Sequence, residues 1–119
     1  MPDPKTYRGG CHCGRVQYEA TTALTEVVEC NCSLCLKRGA LWAFVLAPQF
    51  KLLKAQDVLA DYQFGKKHLH HLFCPSCGVG SFSRGQSPDG KDTFAINARC
   101  LDDVDVSALK RVPFDGKSL

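Results

Sequence analysis

HLFCPSCGVG, residues 71–80, sets Cys74 and Cys77 three positions apart with Gly78 directly behind them. That C-x-x-C-G spacing is a metal knuckle, a tight turn from which two thiolates reach one tetrahedral ion while backbone N–H groups point at the sulfurs; the glycine lets the chain turn back. A knuckle supplies two ligands, and a closed structural site needs four. Cys11-His12-Cys13-Gly14 is the natural second half, since it too is a thiol pair followed by glycine at the start of a strand. Zinc held by Cys11, Cys13, Cys74 and Cys77 would pin the first strand to a late hairpin, which decides how the distant parts of the chain meet.

Working outward, the 119 residues have the length of a single domain, and the whole of 1–119 reads as one unit with no repeat, low-complexity tract or linker. Hydrophobic residues at 45% and charged residues at 23% describe a folded chain rather than a disordered one. The longest apolar run, ALWAFVLA at 40–47, is far short of the ~20 residues that span a bilayer, and MPDPKTYRGG opens without an apolar signal core. A cytoplasmic protein with no membrane partner is expected. The net charge of +3 is mild and its Lys and Arg residues are scattered, so nucleic acid is not an expected partner either.

Short β-rich runs recur between turn residues. Strands are predicted over 15–19, 41–46, 58–64, 68–73, 79–84 and 93–98, with SPDG at 87–90 as a hairpin turn. One short helix is predicted over SLCLKR, 33–38, closed by Gly39 as a left-handed C-terminal residue. A second turn is expected within 103–110, where Ser107 either caps or simply turns. The fold class is therefore mainly β, a small domain in which metal cross-links supplement a limited core.

Eight cysteines are the compositional anomaly. With no export signal and thiols crowded too closely to bridge one another, metal is preferred over disulfides. After the first four are paired off, ECNCSLCLKRG at 29–39 leaves Cys30, Cys32 and Cys35, with Cys100 far away. An extended pair followed by a thiol on the first helical turn can converge on one ion. Three protein ligands with one position free is the pattern of a catalytic zinc, whereas structural sites are closed. The alternative is closure by Cys100 or by one of His12, His68, His70 and His71. Three thiolates leave zinc formally anionic, so it acidifies water poorly, and its soft donors match an incoming thiol.

In this order CxC, CxCxxC, FCxxCG and Asn-x-Arg-Cys-Leu-Asp resemble the glutathione-dependent formaldehyde-activating enzymes, or S-(hydroxymethyl)glutathione synthases, which share a domain with the centromere protein V group. The resemblance runs through GGCHCGRVQYE (9–19), ECNCSLCLKRG (29–39), HLFCPSCGVG (71–80) and INARCLDDVD (96–105). It implies a tent-like β fold similar to methionine sulfoxide reductase B. It also implies two zinc ions, one structural on Cys11, Cys13, Cys74 and Cys77 and one catalytic on Cys30, Cys32 and Cys35. The implied reaction is addition of glutathione sulfur to formaldehyde, classed in reverse as a carbon–sulfur lyase.

Substrate contacts are expected from Lys37 and Arg38, which directly follow the triplet and offer cations to a carboxylate of the thiol. Trp42 and Phe44 share a strand face and are candidates for a pocket wall, with packing in the core as the alternative. No side chain identifies itself as a proton donor. Two rival readings stand beside the enzyme: a non-enzymatic two-zinc module for a protein partner, and sulfoxide reduction through Cys100.

Overall fold

The computed structural model describes residues 4–54, 59–63, 69–86 and 89–116. Its strands form two sheets. A three-stranded antiparallel sheet has β1 (Lys5–Gly10) beside β2 (Gln17–Thr22) beside β5 (Phe50–Lys54). The second sheet has seven strands in the order β10 (Lys110–Phe114), β3 (Glu26–Cys30), β4 (Trp42–Leu46), β9 (Asp92–Asn97), β8 (Phe82–Gln86), β7 (His70–Phe73) and β6 (Ala60–Tyr62). All its pairings are antiparallel except β10 on β3, which is parallel.

The core lies between the sheets because strand alternation sends one face of each inward. In β2 that face carries Tyr18 and Ala20; Phe82 and Ile96 come from β8 and β9, and all four are buried. Phe50 of β5 stacks on Phe94 of β9 with ring centroids 4.2 Å apart, while Tyr18 meets Phe82 edge-on at 5.6 Å. The Tyr18 hydroxyl donates to the Ser81 carbonyl at 3.0 Å, so its polar tip is satisfied inside the core. The chain leaving β9 also ties the sheets together, since Asp102 N–H donates to the Arg8 carbonyl at 2.8 Å.

The expected mainly β architecture with one short helix is what forms. α1 (Ser33–Arg38) has the predicted bounds, and Gly39 closes it at φ +69°, its N–H donating to the Cys35 carbonyl. Predicted strands at 41–46, 68–73, 79–84 and 93–98 correspond to β4, β7, β8 and β9 with ends shifted by up to three residues. The strand predicted at 15–19 begins later, at Gln17, because 11–16 are occupied by the cysteine turn. Residues 55–58 and 64–68 lie outside the described residues, so the 58–64 run is seen only as β6; residues 87–88 of the expected hairpin turn are also outside.

β1, β3, β5 and β10 carry weaker signals and were not among the expected strands. Near 103–110 the turn is a single 3-10 element, Val106–Ala108. Asp105 caps it, accepting from the Ser107 N–H at 3.1 Å and hydroxyl at 2.6 Å, so Ser107 is the donor rather than the cap.

Candidate metal centres

Cys11 and Cys13 stand in the turn between β1 and β2, and Cys74 and Cys77 in the turn between β7 and β8. Their four sulfurs all lie within 4.8 Å of one another. Cys13 Sγ is 3.6 Å from both Cys11 Sγ and Cys74 Sγ. A disulfide would bring the sulfurs to about 2.05 Å. The edge of a tetrahedron with Zn–S bonds of ~2.3 Å is roughly 3.8 Å, and the observed spacing matches that instead.

Backbone N–H groups face the sulfurs as a knuckle requires: Val16 N–H donates to Cys11 Sγ at 3.3 Å. The Cys77 thiol is held down to about 6 by the backbone N–H of Val79 and then that of Cys13. Such a thiol is largely thiolate at neutral pH, the form a metal takes. Gly14 and Gly78 close the two turns at φ +83° and +82°. The cluster thus joins the small sheet to the large one.

Cys30 ends β3, Cys32 is the N-cap of α1, and Cys35 lies one turn into it. Their sulfurs also lie within 4.8 Å of one another. Cys32 N–H donates to Cys30 Sγ at 3.4 Å, and Cys35 N–H donates to Cys32 Sγ at 3.3 Å. Trp42 Nε1–H donates to Cys35 Sγ at 3.3 Å from a buried position on β4. Burial pushes the Cys35 thiol up to about 12; the Trp42 donor opposes this, and the neighbouring sulfurs of Cys32 and Cys30 reinforce it. Three converging thiols with donors aimed at each are poorly matched to one another as bare anions, and a thiophilic divalent cation removes that conflict. The donor set fits zinc.

Among the described residues no fourth His, Cys, Asp or Glu joins these three. Cys100, one candidate for closing the second centre, instead stands beside the first, where burial and then the Cys11 and Cys77 charges push its thiol up to about 11. His12 is exposed, His70 Nδ1 meets Asp61 Oδ2 at 2.6 Å, and His71 is buried in β7, while His68 lies outside the described residues.

Beside the second centre is a cleft of about 490 Å³, walled by Cys30, Cys35, Leu36, Pro113 and Phe114 and carrying the carboxylates of Glu29 and Asp115. Leu36 and Phe114 are largely exposed there. β10 brings the far wall: Asn31 N–H donates to the Phe114 carbonyl at 3.1 Å, and Asn31 Nδ2 to Asp115 Oδ1 at 3.0 Å. Gly116 lies so close that a Cβ on it would be 2.5 Å from Cys30 Sγ. Phe114, Asp115 and Gly116 are site residues that the sequence reading missed, because only parallel pairing of β10 with β3 brings them here. The sole local hint is the turn-like Asp115-Gly116 pair.

None of Lys37, Arg38 and Trp42 lines that cleft. Lys37 is exposed on α1, Arg38 lies over the Phe73 ring at 5.8 Å, and Trp42 faces Cys35. Phe44, its companion on β4, is 55% exposed and belongs to a different hollow.

Residues 6–112, a span holding both clusters, match the family described as glutathione-dependent formaldehyde-activating enzyme. The chain belongs to that family. The chain is also similar to a Rhodobacter sphaeroides protein solved by crystallography, at 30% identity and a TM-score of 0.77, with 89% of this chain and 97% of that one covered. The family match stops before Phe114, so the β10 end of the cleft lies beyond the matched span of this formaldehyde-activating family member.

Proposed function

We propose that this protein activates a small thiol, glutathione by its family, for reversible addition to formaldehyde or another small aldehyde, a reaction of the carbon–sulfur lyase class. In this reading Cys11, Cys13, Cys74 and Cys77 hold a structural zinc and Cys30, Cys32 and Cys35 hold a catalytic one. The carrying observation is the second cluster: three sulfurs, no fourth donor among the described residues, and a cleft of about 490 Å³ alongside.

A zinc ion held there supplies a thiophilic Lewis-acidic position that favours the deprotonated form of an incoming thiol. The chain does the rest. The N–H groups of Cys32, Cys35 and Trp42 fix the three sulfurs and stabilise their anionic form. Leu36 and Phe114 offer an apolar wall beside the three sulfurs, and the cleft leaves room for a one-carbon electrophile. The thiol proton passes to water, the substrate sulfur donates its electron pair to the aldehyde carbon, the carbonyl π pair moves to oxygen, and that oxygen takes a proton back from water, giving with formaldehyde the S-hydroxymethyl product. Trp42 acts in this scheme through Cys35 rather than on the substrate.

Exchange NMR of glutathione with formaldehyde tests the proposal. Addition in the presence of the zinc protein exceeds the uncatalysed rate, and Cys35→Ser returns it to background while the first cluster keeps its metal. A wild-type rate equal to background refutes the enzyme and favours the metal-module reading.

A further inference from the structure

The seven-stranded sheet has a second face, turned away from the core. Phe82 of β8 is buried in the core, so strand alternation sends Ser83 and Gly85 outward. Directly opposed residues of paired strands share a face: Ser83 lies opposite Ala95, Ala95 opposite Phe44, and Gly85 opposite Thr93. These residues and Leu69 line a hollow of about 230 Å³, in which Ser83, Gly85 and Ala95 are small and leave the space. Ala95 also packs against Cys35, Ala40 and Trp42, so the hollow adjoins the second centre, yet none of its residues lines the cleft there.

Two hydroxyls in this hollow serve no contact of the fold. Ser83 is only 6% exposed and Thr93 is partly buried, and Ser83 Oγ and Thr93 Oγ1 are both buried atoms without a hydrogen-bond partner among the described residues. A buried hydroxyl left unpaired costs free energy that an apolar side chain of similar size avoids. The charges nearby belong to the other face. Arg84 and Gln86 border the hollow but alternate with Ser83 and Gly85, and with His70 and Asp92 they line a separate hollow. The outward side chains are therefore apolar or hydroxyl-bearing, and none is charged.

We propose that this hollow binds a small neutral molecule with one apolar ring and one hydroxyl or carbonyl oxygen, at a site distinct from the three-sulfur cleft. An apolar cavity of about 150 Å³ holds benzene, so the volume admits a ring with a short substituent. Phe44 and Leu69, about half exposed, are the walls that part to admit the ring, and the ligand oxygen supplies the partner that Ser83 Oγ and Thr93 Oγ1 lack. The proposal is independent of the thiol-addition reading.

Two-dimensional amide NMR of the zinc-loaded protein, titrated with benzyl alcohol and separately with toluene, which lacks the oxygen, tests it. Benzyl alcohol shifts the amides of Ser83, Gly85, Thr93 and Ala95 saturably and leaves those of Asn31, Leu36 and Asp115 in the cleft unmoved; this arm needs no variant. Ser83→Ala lowers the preference for benzyl alcohol over toluene by about fivefold to tenfold, the scale of one hydrogen bond. Because it removes an unpaired hydroxyl, the same variant melts a few degrees higher than wild type without ligand. Absence of saturable shifts at the four amides, shifts centred on the cleft, an unchanged ligand preference in Ser83→Ala, or a lower melting point for that variant overturns the proposal.

Discussion

Tyr18 shows how a single side chain sets the chemistry of the core. Its ring is wholly buried between the sheets, and burial, followed by the charges of Cys100 and Asp102, holds its hydroxyl well above the usual tyrosine range. In the unfolded chain the group ionises near pH ~10, whereas the folded protein keeps it neutral. The stability it contributes is therefore present below about pH 10 and lost as pH rises above that. Tyr18→Phe is expected to cost about 1 kcal/mol at neutral pH, a modest figure because the Ser81 carbonyl still accepts from Asn97 N–H, and to soften the alkaline fall in stability measured by denaturant titration. Trp42 belongs to the same scale. Trp42→Phe removes the Nε1–H donor on Cys35 Sγ and should weaken metal at the second cluster roughly tenfold to a hundredfold in a chelator competition, leaving the first unchanged.

Among the elements, the two cysteine clusters carry different mechanical roles. The first joins the β1–β2 turn to the β7–β8 turn and so staples one sheet to the other, while the second is built largely within β3 and α1. Cys74→Ser, at a fully buried sulfur, should lower the thermal midpoint by roughly 10 °C or more, and Cys32→Ser by only a few degrees, in parallel melts of the zinc-loaded proteins. Equal losses would contradict this division.

The same contrast explains what was readable in the sequence. Cysteine spacing is a local signal, so both clusters and α1 with its Gly39 cap stood out, as did the strands with dense apolar runs. β1 and β10, KTYRGG and KRVPF, have mixed patterns and are strands because a partner fixes them. Parallel pairing of β10 with β3 leaves no mark at short range, and it hid Phe114, Asp115 and Gly116 from a sequence reading. Trp42 was expected either in a pocket wall or in the core, and its donation to Cys35 Sγ was not legible, because that depends on β4 facing α1. Arg38 follows the triplet in sequence yet turns to Phe73.

At the scale of the whole molecule, a three-stranded and a seven-stranded sheet enclose an aromatic core, one four-sulfur cluster ties them, and one three-sulfur cluster opens beside a cleft. Among the described residues no helix is long and apolar enough to cross a membrane. The family membership names glutathione and formaldehyde, and the proposed function assigns their reaction to the cluster of three sulfurs rather than the cluster of four. X-ray absorption at the zinc edge, recorded on the zinc-loaded protein with and without glutathione, tests this most directly. Glutathione should add one sulfur neighbour in the wild type, and Cys35→Ser should abolish the change. Four protein ligands at every zinc, with a spectrum that glutathione leaves unaltered, would contradict it.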